Sequence, residues 1–361
     1  MSDLARDRLK NLSKYIPGKQ EEDAKEEFGL KDVIKLASNE NPLGPSPKAI
    51  EAVKNAVLDA SKYPDQHQVP LRAALSKRFG LPSENFIVGN GSDEVMLMIA
   101  LTFLEKDDEV VISRNTFSVY EFVTKLMGAS PVYVDLKDLT YDLQDLASAV
   151  SKKTKLIFLC NPNSPTGTIV KKDALEKFIK AVPENVIVVV DEAYGEYADL
   201  PDYRSAAGHI NKRANLIVLK TFSKIYGLAG LRIGYGVSSK KIIDLLNLVK
   251  MPFNVNRIGQ IAALAALDDD GFVARSNKNN AEGKEYLYSE FSKMGLKFLK
   301  TQANFVFVDL QRDSEKIFVE LMSRGIIIRP LSSFGLPKAI RVTVGTPSQN
   351  KKFIQALKKV L

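Results

Sequence analysis

Seven short apolar runs between residues 86 and 237 alternate with segments whose hydrophobic positions recur at helical spacing. Val, Ile, Leu and Phe fill both faces of several runs, which is typical of strands buried in a largely parallel sheet with helices on each side. The sequence therefore predicts the α/β class, with right-handed crossovers. The predicted strands are FIVGN (86–90), EVVIS (109–113), PVYVDL (131–136), KLIFLC (155–160), NVIVVVD (185–191), NLIVLKT (215–221) and LRIGYGV (231–237).

The C-terminal part of the chain has a different order of elements. Three helical patterns occupy residues 239–294, and strand, helix, strand, strand and helix patterns follow, including FVFVDL (305–310) and AIRVTVGT (339–346). This order is typical of a small α+β domain. We predict a large domain over 36–250, a small C-terminal domain over 251–361, and an N-terminal arm over 1–35 that packs on the small domain.

Composition and charge narrow the classes of function. The 361 residues include one cysteine, Cys160, and two histidines, His67 and His209, so the sequence predicts neither a disulfide nor a metal site. The formal net charge is +8, but the basic residues are spread along the chain, and we expect no nucleic-acid partner. With no apolar leader and no run of about 18 apolar residues, we expect a cytoplasmic protein without membrane contact.

Phosphate-binding groups follow two of the predicted strands, where open α/β sheets bind their ligands. GSDE follows the first strand and opens a helix. There, Ser92 and Asp93 could present backbone N–H groups to a phosphate, or could simply cap the helix. The strand NLIVLKT is followed by two hydroxyl groups and a guanidinium group that suit a phosphate, those of Thr221, Ser223 and Arg232.

Three further segments carry groups that suit an organic ring. Asp191 ends an apolar strand, where an unpaired charge is costly, so it either caps the next turn or meets a cation such as a pyridinium nitrogen. NPNSPTGT (161–168) is either an ordinary rigid turn or one whose Asn163 and Ser164 hydrogen-bond a ring substituent. Lys224 is either a surface lysine or a nucleophilic amine.

Taken together, these groups meet the requirements of pyridoxal phosphate better than any one of them does alone. That cofactor needs its phosphate anchored, its ring nitrogen kept protonated and its aldehyde held by a lysine as a Schiff base. The same lysine can then move a proton between the substrate carbon and the cofactor. The sequence therefore predicts a pyridoxal 5'-phosphate enzyme.

The segments around these residues resemble a known family. SKIYGLAGLRIGY (223–235), with DEAY (191–194) upstream, resembles the class II subgroup of the fold-type I pyridoxal-phosphate aminotransferases. Other matching segments span nearly the whole chain: KYIPGK (14–19), KLASNENPLGPSP (35–47), YPD (63–65), GNGSDE (89–94), NPNSPTGT and IRVTVGT (340–346). KYIPGK and SNENPLGPSP are similar to the branch that acts on histidinol phosphate. The resemblance implies the fold-type I architecture and a homodimer.

The resemblance implies a role for each residue of the cofactor site. Lys224 would form the Schiff base and carry the proton, Asp191 would pair with the ring nitrogen, and Tyr194 would hydrogen-bond the ring hydroxyl. Phe117 would stack on the ring, unless it is an ordinary core aromatic. The phosphate would be held by Ser92, Asp93, Thr221, Ser223 and Arg232, with Tyr63 reaching it from the partner subunit.

The resemblance also implies a substrate site formed by Tyr15, Asn41, Arg329 and Arg341. The two arginines would bind the anionic end of the substrate, although for either one alone a surface salt bridge is the simpler interpretation. One position departs from the family's pattern. Ser164 stands where the family usually has an asparagine that contacts the ring oxygen, and Asn163 or a water could compensate for its shorter reach.

The resemblance leads to a specific functional hypothesis. The amino group of L-histidinol phosphate would be exchanged with 2-oxoglutarate, giving imidazole acetol phosphate and L-glutamate in histidine biosynthesis, by a ping-pong mechanism through Lys224. Three alternatives remain open. They are an aromatic amino acid or prephenate aminotransferase, a pyridoxal-phosphate decarboxylase of a phosphorylated amino acid, and a non-enzymatic protein that binds phosphate or nucleic acid through the same fold.

Overall fold

The computed structural model describes residues 4, 6, 9, 12 and 18–361, and its elements follow the predicted order. Those up to the end of the larger sheet are α1 (Glu21–Phe28), β1 (Ile34–Lys35), α2 (Pro47–Ala56), α3 (Val69–Phe79), β2 (Phe86–Asn90), α4 (Ser92–Phe103), β3 (Glu109–Ser113), α5 (Val119–Met127), β4 (Ser130–Val134), α6 (Leu143–Ser148), β5 (Thr154–Cys160), α7 (Lys172–Ala181), β6 (Ile187–Asp191), β7 (Leu216–Thr221) and β8 (Ile233–Ser238). The rest are α8 (Lys240–Val249), α9 (Arg257–Leu267), α10 (Asp270–Lys293), β9 (Lys297–Phe298), β10 (Phe305–Asp309), α11 (Ser314–Met322), β11 (Ile326–Ile327), β12 (Arg329–Pro330), β13 (Ala339–Thr343) and α12 (Pro347–Val360).

The larger sheet has seven strands in the order β2-β8-β7-β6-β5-β3-β4. β8 lies antiparallel to both of its neighbours, and every other pair is parallel. The predicted α/β class and the mostly parallel seven-stranded sheet are therefore confirmed. Because β8 is reversed, it begins at the same edge of the sheet at which β2 and β7 end.

Burial explains why the central strands read as continuous apolar runs. Every residue of β7 and β8 is buried, which is expected for strands covered on both faces. The helices show the matching one-sided pattern. In α7, Leu175, Phe178 and Ile179 are buried at three- and four-residue spacing, while the lysines of that helix lie on its other side. Burying each of these side chains contributes about 1.5–3 kcal/mol.

The C-terminal part builds a second, antiparallel sheet of four strands in the order β12-β13-β10-β9. Its apolar residues form a separate core with α10, α11 and α12. β1 pairs in parallel with β11, and the two form a separate two-stranded sheet. This pairing connects the described part of the N-terminal segment to the C-terminal part of the chain. The domain division at residue 250 stays a prediction; apolar residues of α9 belong to the core of the larger sheet.

Residues 36–41, which we call the linking segment, run from the second sheet to the carboxyl edge of the larger one. The backbone of Leu36 donates to Ile327 O at 2.7 Å and accepts from Thr343 N at 2.8 Å. Further along the chain, the backbone at Gly44 passes so close to Gly227 that a Cβ on Gly227 would lie 2.1 Å from Gly44 O. Only glycine permits that approach, so the linking segment and its continuation are held against the larger sheet.

A buried ion cluster joins the ends of β6 and β7. Lys220 Nζ lies 2.8 Å from Glu196 Oε1 and 3.5 Å from Glu192 Oε2. Burial lowers the pKa of Lys220, but Glu196 and Glu192 reverse that effect and raise the pKa above its usual range. Glu192 also accepts hydrogen bonds from Ser205 Oγ and Ala206 N. Glu192 directly follows Asp191, so the cluster fixes the point at which β6 ends.

Across the described ranges 18–361 and the few residues before them, we find no helix long and apolar enough to cross a bilayer.

We expect Lys220→Met to lower the free energy of unfolding by about 3–5 kcal/mol, because it leaves Glu192 buried without its cation. Urea titration followed by circular dichroism measures this loss. The matched control is Lys48→Met, which removes an ion pair with Asp268 whose side chains are 53% and 88% exposed. That exposed pair contributes about 0–1 kcal/mol. Equal losses in the two variants would contradict the prediction.

Candidate active site

A cavity of about 700 Å³, counting its open mouth, lies at the carboxyl edge of the larger sheet. Side chains that follow β2, β6 and β7 meet here, as expected for an open α/β sheet. The structure thus brings together most of the predicted cofactor residues, namely Ser92, Asp93, Phe117, Ser164, Asp191, Tyr194, Thr221, Ser223, Lys224 and Arg232.

A second cavity of about 570 Å³, again counting its open mouth, adjoins the first. Arg329 and Arg341 line it, together with residues of the linking segment. The two cavities share part of their walls: Ser38, Phe117, Ser164, Tyr194 and Lys224. Lys224 therefore lies at the boundary between the predicted cofactor and substrate compartments.

One end of the first cavity is built to hold an anion. No described side chain caps the first turn of α4, whose residues Ser92 and Asp93 line the cavity. Uncapped amides at a helix N-terminus attract negative charge. Arg232 lies beside them, with Nη1 3.2 Å from Ser223 Oγ and Nη2 3.2 Å from Asp93 Oδ2. Gly91 has φ +80°, and a Cβ there would lie 2.5 Å from Arg232 Nη2, so the cradle requires glycine.

Asp191 lies deep in the cavity and is 2% exposed. Its Oδ2 accepts a hydrogen bond from Tyr120 Oη at 2.7 Å, and its Oδ1 accepts one from Ala193 N at 3.0 Å. Burial raises the pKa of Asp191 to about 6, while the two hydrogen bonds oppose that rise. The carboxyl group is therefore ionised above about pH 6, and a cation in the cavity would stabilise it further.

Lys224 and Tyr194 are held by the linking segment. Lys224 Nζ donates to Ser38 O at 3.0 Å and lies 5.7 Å from the centre of the Tyr194 ring. Tyr194 Oη accepts from Asn39 Nδ2 at 2.9 Å. Asn39 in turn bonds Thr343 of β13 through its backbone N–H and side chain. The amine and the phenol are thus placed by a segment that also pairs with the second sheet.

Arg329 and Arg341 are directly opposite each other on β12 and β13. Arg341 Nη1 donates to Ser164 Oγ at 3.0 Å, and its Nη2 donates to Ala37 O at 2.8 Å. Like charges at opposed positions destabilise a sheet, and an anion bound between them offsets that cost. The hydroxyl of Ser164, which departs from the family's pattern, thus supports Arg341 from the wall of both cavities.

Three predicted site residues, Asn163, Asn41 and Tyr63, line neither cavity, and a fourth, Tyr15, is outside the described residues. Asn163 is buried inside its turn, where its amide group bonds Thr116 Oγ1, Asn115 O and Thr166 Oγ1. It lines neither of the two described cavities, and its compensation for Ser164 stays a prediction.

Asn41 is committed to the backbone of Ile225 and the hydroxyl of Ser276, at 2.8 and 2.9 Å, and does not line the described cavities. Tyr63 is 79% exposed, stacks on Phe253 at 4.6 Å between ring centres, and lines neither described cavity. Tyr15 lies outside the described residues.

Sequence reasoning missed several residues that shape the site. Tyr120 is a fully buried tyrosine in α5, and nothing in its pattern distinguishes it from a core aromatic. Asn39 and Ser38 lie in a segment that matched the family, but their partners are far away in the chain. Asn39 has φ +57°, a conformation that asparagine tolerates better than most residues.

The arrangement fits pyridoxal phosphate. It offers open amides and a guanidinium group for a phosphate, a buried carboxylate for a ring nitrogen, and an amine between the two cavities. A Cβ at Gly91 would meet the Arg232 guanidinium, so glycine lets that group lie against the backbone at the start of α4.

The comparisons with known proteins agree with this geometry. The family model described as aminotransferase class I and II matches residues 31–357. The chain is 48% identical to a histidinol-phosphate aminotransferase of Moorella thermoacetica, over 99% of this chain and 92% of the relative. It is 47% identical to one of Caldicellulosiruptor saccharolyticus, over 99% and 100%.

A solved structure is also similar over nearly the whole fold. The histidinol-phosphate aminotransferase of Sinorhizobium meliloti in complex with pyridoxal-5'-phosphate has a TM-score of 0.90 and 29% identity, covering 98% of this chain and 96% of that one. A putative histidinol-phosphate aminotransferase of Erwinia carotovora has a TM-score of 0.87 and 30% identity, covering 91% and 95%. The chain belongs to the class I and II aminotransferase family.

Proposed function

We propose that the protein is a pyridoxal-phosphate-dependent aminotransferase of histidine biosynthesis. It exchanges the amino group of L-histidinol phosphate with 2-oxoglutarate, giving imidazole acetol phosphate and L-glutamate. The observation that carries this proposal is the position of Lys224, whose amine lies between a cavity with an anion cradle and one with two arginines. Relatives named for this activity, at 47–48% identity over nearly the whole chain, support the substrate.

Pyridoxal phosphate, when bound, supplies an electron sink that stabilises negative charge on the substrate carbon that loses its proton. Lys224 Nζ is the base that takes this proton, since its amine is the one that lines both cavities. Asp191, buried in the same cavity, would pair with the ring nitrogen as an ionised carboxylate. Arg232, Ser223 and the first-turn amides of α4 would hold the phosphate, and Phe117 and Tyr194 would enclose the ring.

Arg329 and Arg341 bind the anionic end of each substrate in turn. A phosphate monoester and a dicarboxylate both offer several acceptor oxygens, and two guanidinium groups on adjacent strands can satisfy either. Because one site must accept both anions, the two arginines explain how a single cavity serves the two halves of a ping-pong reaction.

We infer that the protein works in the cytoplasm as a homodimer in which Tyr63 reaches the partner's phosphate site. Tyr63 is exposed and stacks on Phe253, and further exposed apolar side chains lie close to these two residues in the sequence, where in a monomer they would contact water. Such a surface is typical of an interface. The exposed apolar residues are Val57, Leu58, Val69, Leu248, Met251 and Phe253.

Lys224→Ala is expected to lower kcat by at least about 10²–10⁴-fold, because it removes the base that moves the proton. Glutamate formed from histidinol phosphate and 2-oxoglutarate is the quantity to measure. Lys48→Ala, at an exposed lysine, is the control and should leave kcat unchanged. Full activity of Lys224→Ala, or release of carbon dioxide without glutamate, would show that the proposed reaction is wrong.

Arg341→Gln should raise KM for histidinol phosphate about 10- to 100-fold, because a hydrogen bond to a charged group contributes about 1.5–3 kcal/mol. Arg324→Gln, at an exposed arginine after α11, is the control. Comparison of kcat/KM for histidinol phosphate and phenylalanine tests the substrate directly. Faster turnover of phenylalanine by the unmodified enzyme would favour an aromatic aminotransferase instead.

Sedimentation of the unmodified protein at micromolar concentration should give the mass of two chains. Leu248→Asp places a charge in the exposed apolar surface, where Leu248 is 81% exposed, and should shift the mass to one chain. Leu200→Asp, at a half-exposed leucine outside that surface, is the control. A single-chain mass for the unmodified protein would refute the proposed homodimer.

A further inference from the structure

Tyr120 lies beneath the site and has no part in the roles assigned so far. It lies in the first turn of α5, three residues after Phe117, with the two rings 5.6 Å apart in an edge-to-face arrangement. On its other side, the Tyr120 ring stacks on Phe158 of β5 at 4.6 Å and 5°. These contacts bury the ring completely and fix its direction.

The fixed ring directs its hydroxyl at the Asp191 carboxylate. Tyr120 Oη donates to Asp191 Oδ2 at 2.7 Å, while Ala193 N occupies Asp191 Oδ1. Each carboxylate oxygen therefore has one donor, which sets both the plane and the rotation of the group. Burial raises the pKa of the Tyr120 phenol well above its usual value, which keeps the hydroxyl protonated at neutral pH.

We propose that Tyr120 is a positioning residue that orients the Asp191 carboxylate and stabilises its charge toward the ring nitrogen of the cofactor. This inference rests on the proposed function, because it concerns the same cofactor. The phenol acts only through Asp191 and does not line either cavity. Its function is to make an ionised carboxylate available in a place where burial alone would favour the neutral acid.

The charged groups around Asp191 disfavour its ionised form, and the hydrogen bond from Tyr120 acts against them. Negative charge on Asp93 and Glu192 raises the pKa of Asp191, in the same direction as burial. The hydrogen bonds from Tyr120 Oη and from the backbone of Ala193 oppose these effects. The titratable groups that face this carboxyl are Tyr120 on α5, Asp93 on α4, Cys160 on β5, Tyr141 before α6 and Glu192 after β6.

The test is Tyr120→Phe, which removes the hydroxyl and keeps the ring on Phe158. Equilibrium dialysis of the full-length holoenzyme against pyridoxal phosphate should show the dissociation constant rising about 10- to 100-fold at neutral pH. The matched control is Tyr288→Phe. Tyr288 is also buried, stacks on Phe298 at 5.1 Å and 8°, and uses its hydroxyl in one hydrogen bond, from Thr301 N, away from the site.

The pH dependence separates positioning from ordinary structural support. Cofactor affinity falls as pH drops through the pKa of Asp191, because the neutral acid does not pair with a protonated ring nitrogen. Without the hydroxyl the pKa of Asp191 rises further, so in Tyr120→Phe this fall begins about one pH unit higher. Tyr288→Phe should follow the unmodified profile.

A double-mutant cycle completes the test. In an Asp191→Asn background, adding Tyr120→Phe should change the dissociation constant by less than about threefold, because the charge it stabilises is gone. An equal loss in both backgrounds, or a loss no larger than that of Tyr288→Phe, would overturn the positioning role while leaving the proposed function intact. Failure of the unmodified protein to bind pyridoxal phosphate would overturn both.

Discussion

Because β8 runs antiparallel between β2 and β7, its first residues stand at the edge of the sheet where both neighbours end. This reversal places Arg232, just before β8, beside the first turn of α4 and the hydroxyls after β7. Gly234 packs so closely on that turn that an added Cβ would lie 2.2 Å from Ser92 N. The anion cradle therefore depends on one strand direction and on two glycines.

Much of the fold and site could be predicted from the sequence, because its signals are local. Buried strands appear as apolar runs, and the polar residues directly after them, such as Asp191 and Ser223, mark the carboxyl edge. The reversal of β8 could not be predicted from the pattern, since a strand buried on both faces has the same composition in either direction. Arg232, which precedes β8, was predicted to bind a phosphate from its guanidinium chemistry and from the family resemblance.

Contacts between elements that are far apart in the chain could not be predicted from the sequence. The hydrogen bond from Tyr120 to Asp191 joins a helix to a strand 71 residues away. Asn163 and Asn41 have the right residue type, but local geometry turns their amides to backbone and hydroxyl groups outside the cavities. The linking segment likewise uses backbone carbonyls, at Ala37 and Ser38, to hold Arg341 and Lys224. Carbonyl groups carry no sequence signal at all.

The buried cluster of Lys220, Glu192 and Glu196 also bears on how this sequence can change over evolutionary time. Loss of one buried partner leaves an uncompensated charge, whereas replacing a whole buried ion cluster by well-packed apolar residues is often tolerated. Single substitutions at Lys220 or Glu192 are therefore expected to destabilise the fold, whereas a concerted replacement is expected to be closer to neutral. Because these residues adjoin Thr221 and Asp191, the cluster holds the ends of β6 and β7 in a fixed position relative to each other.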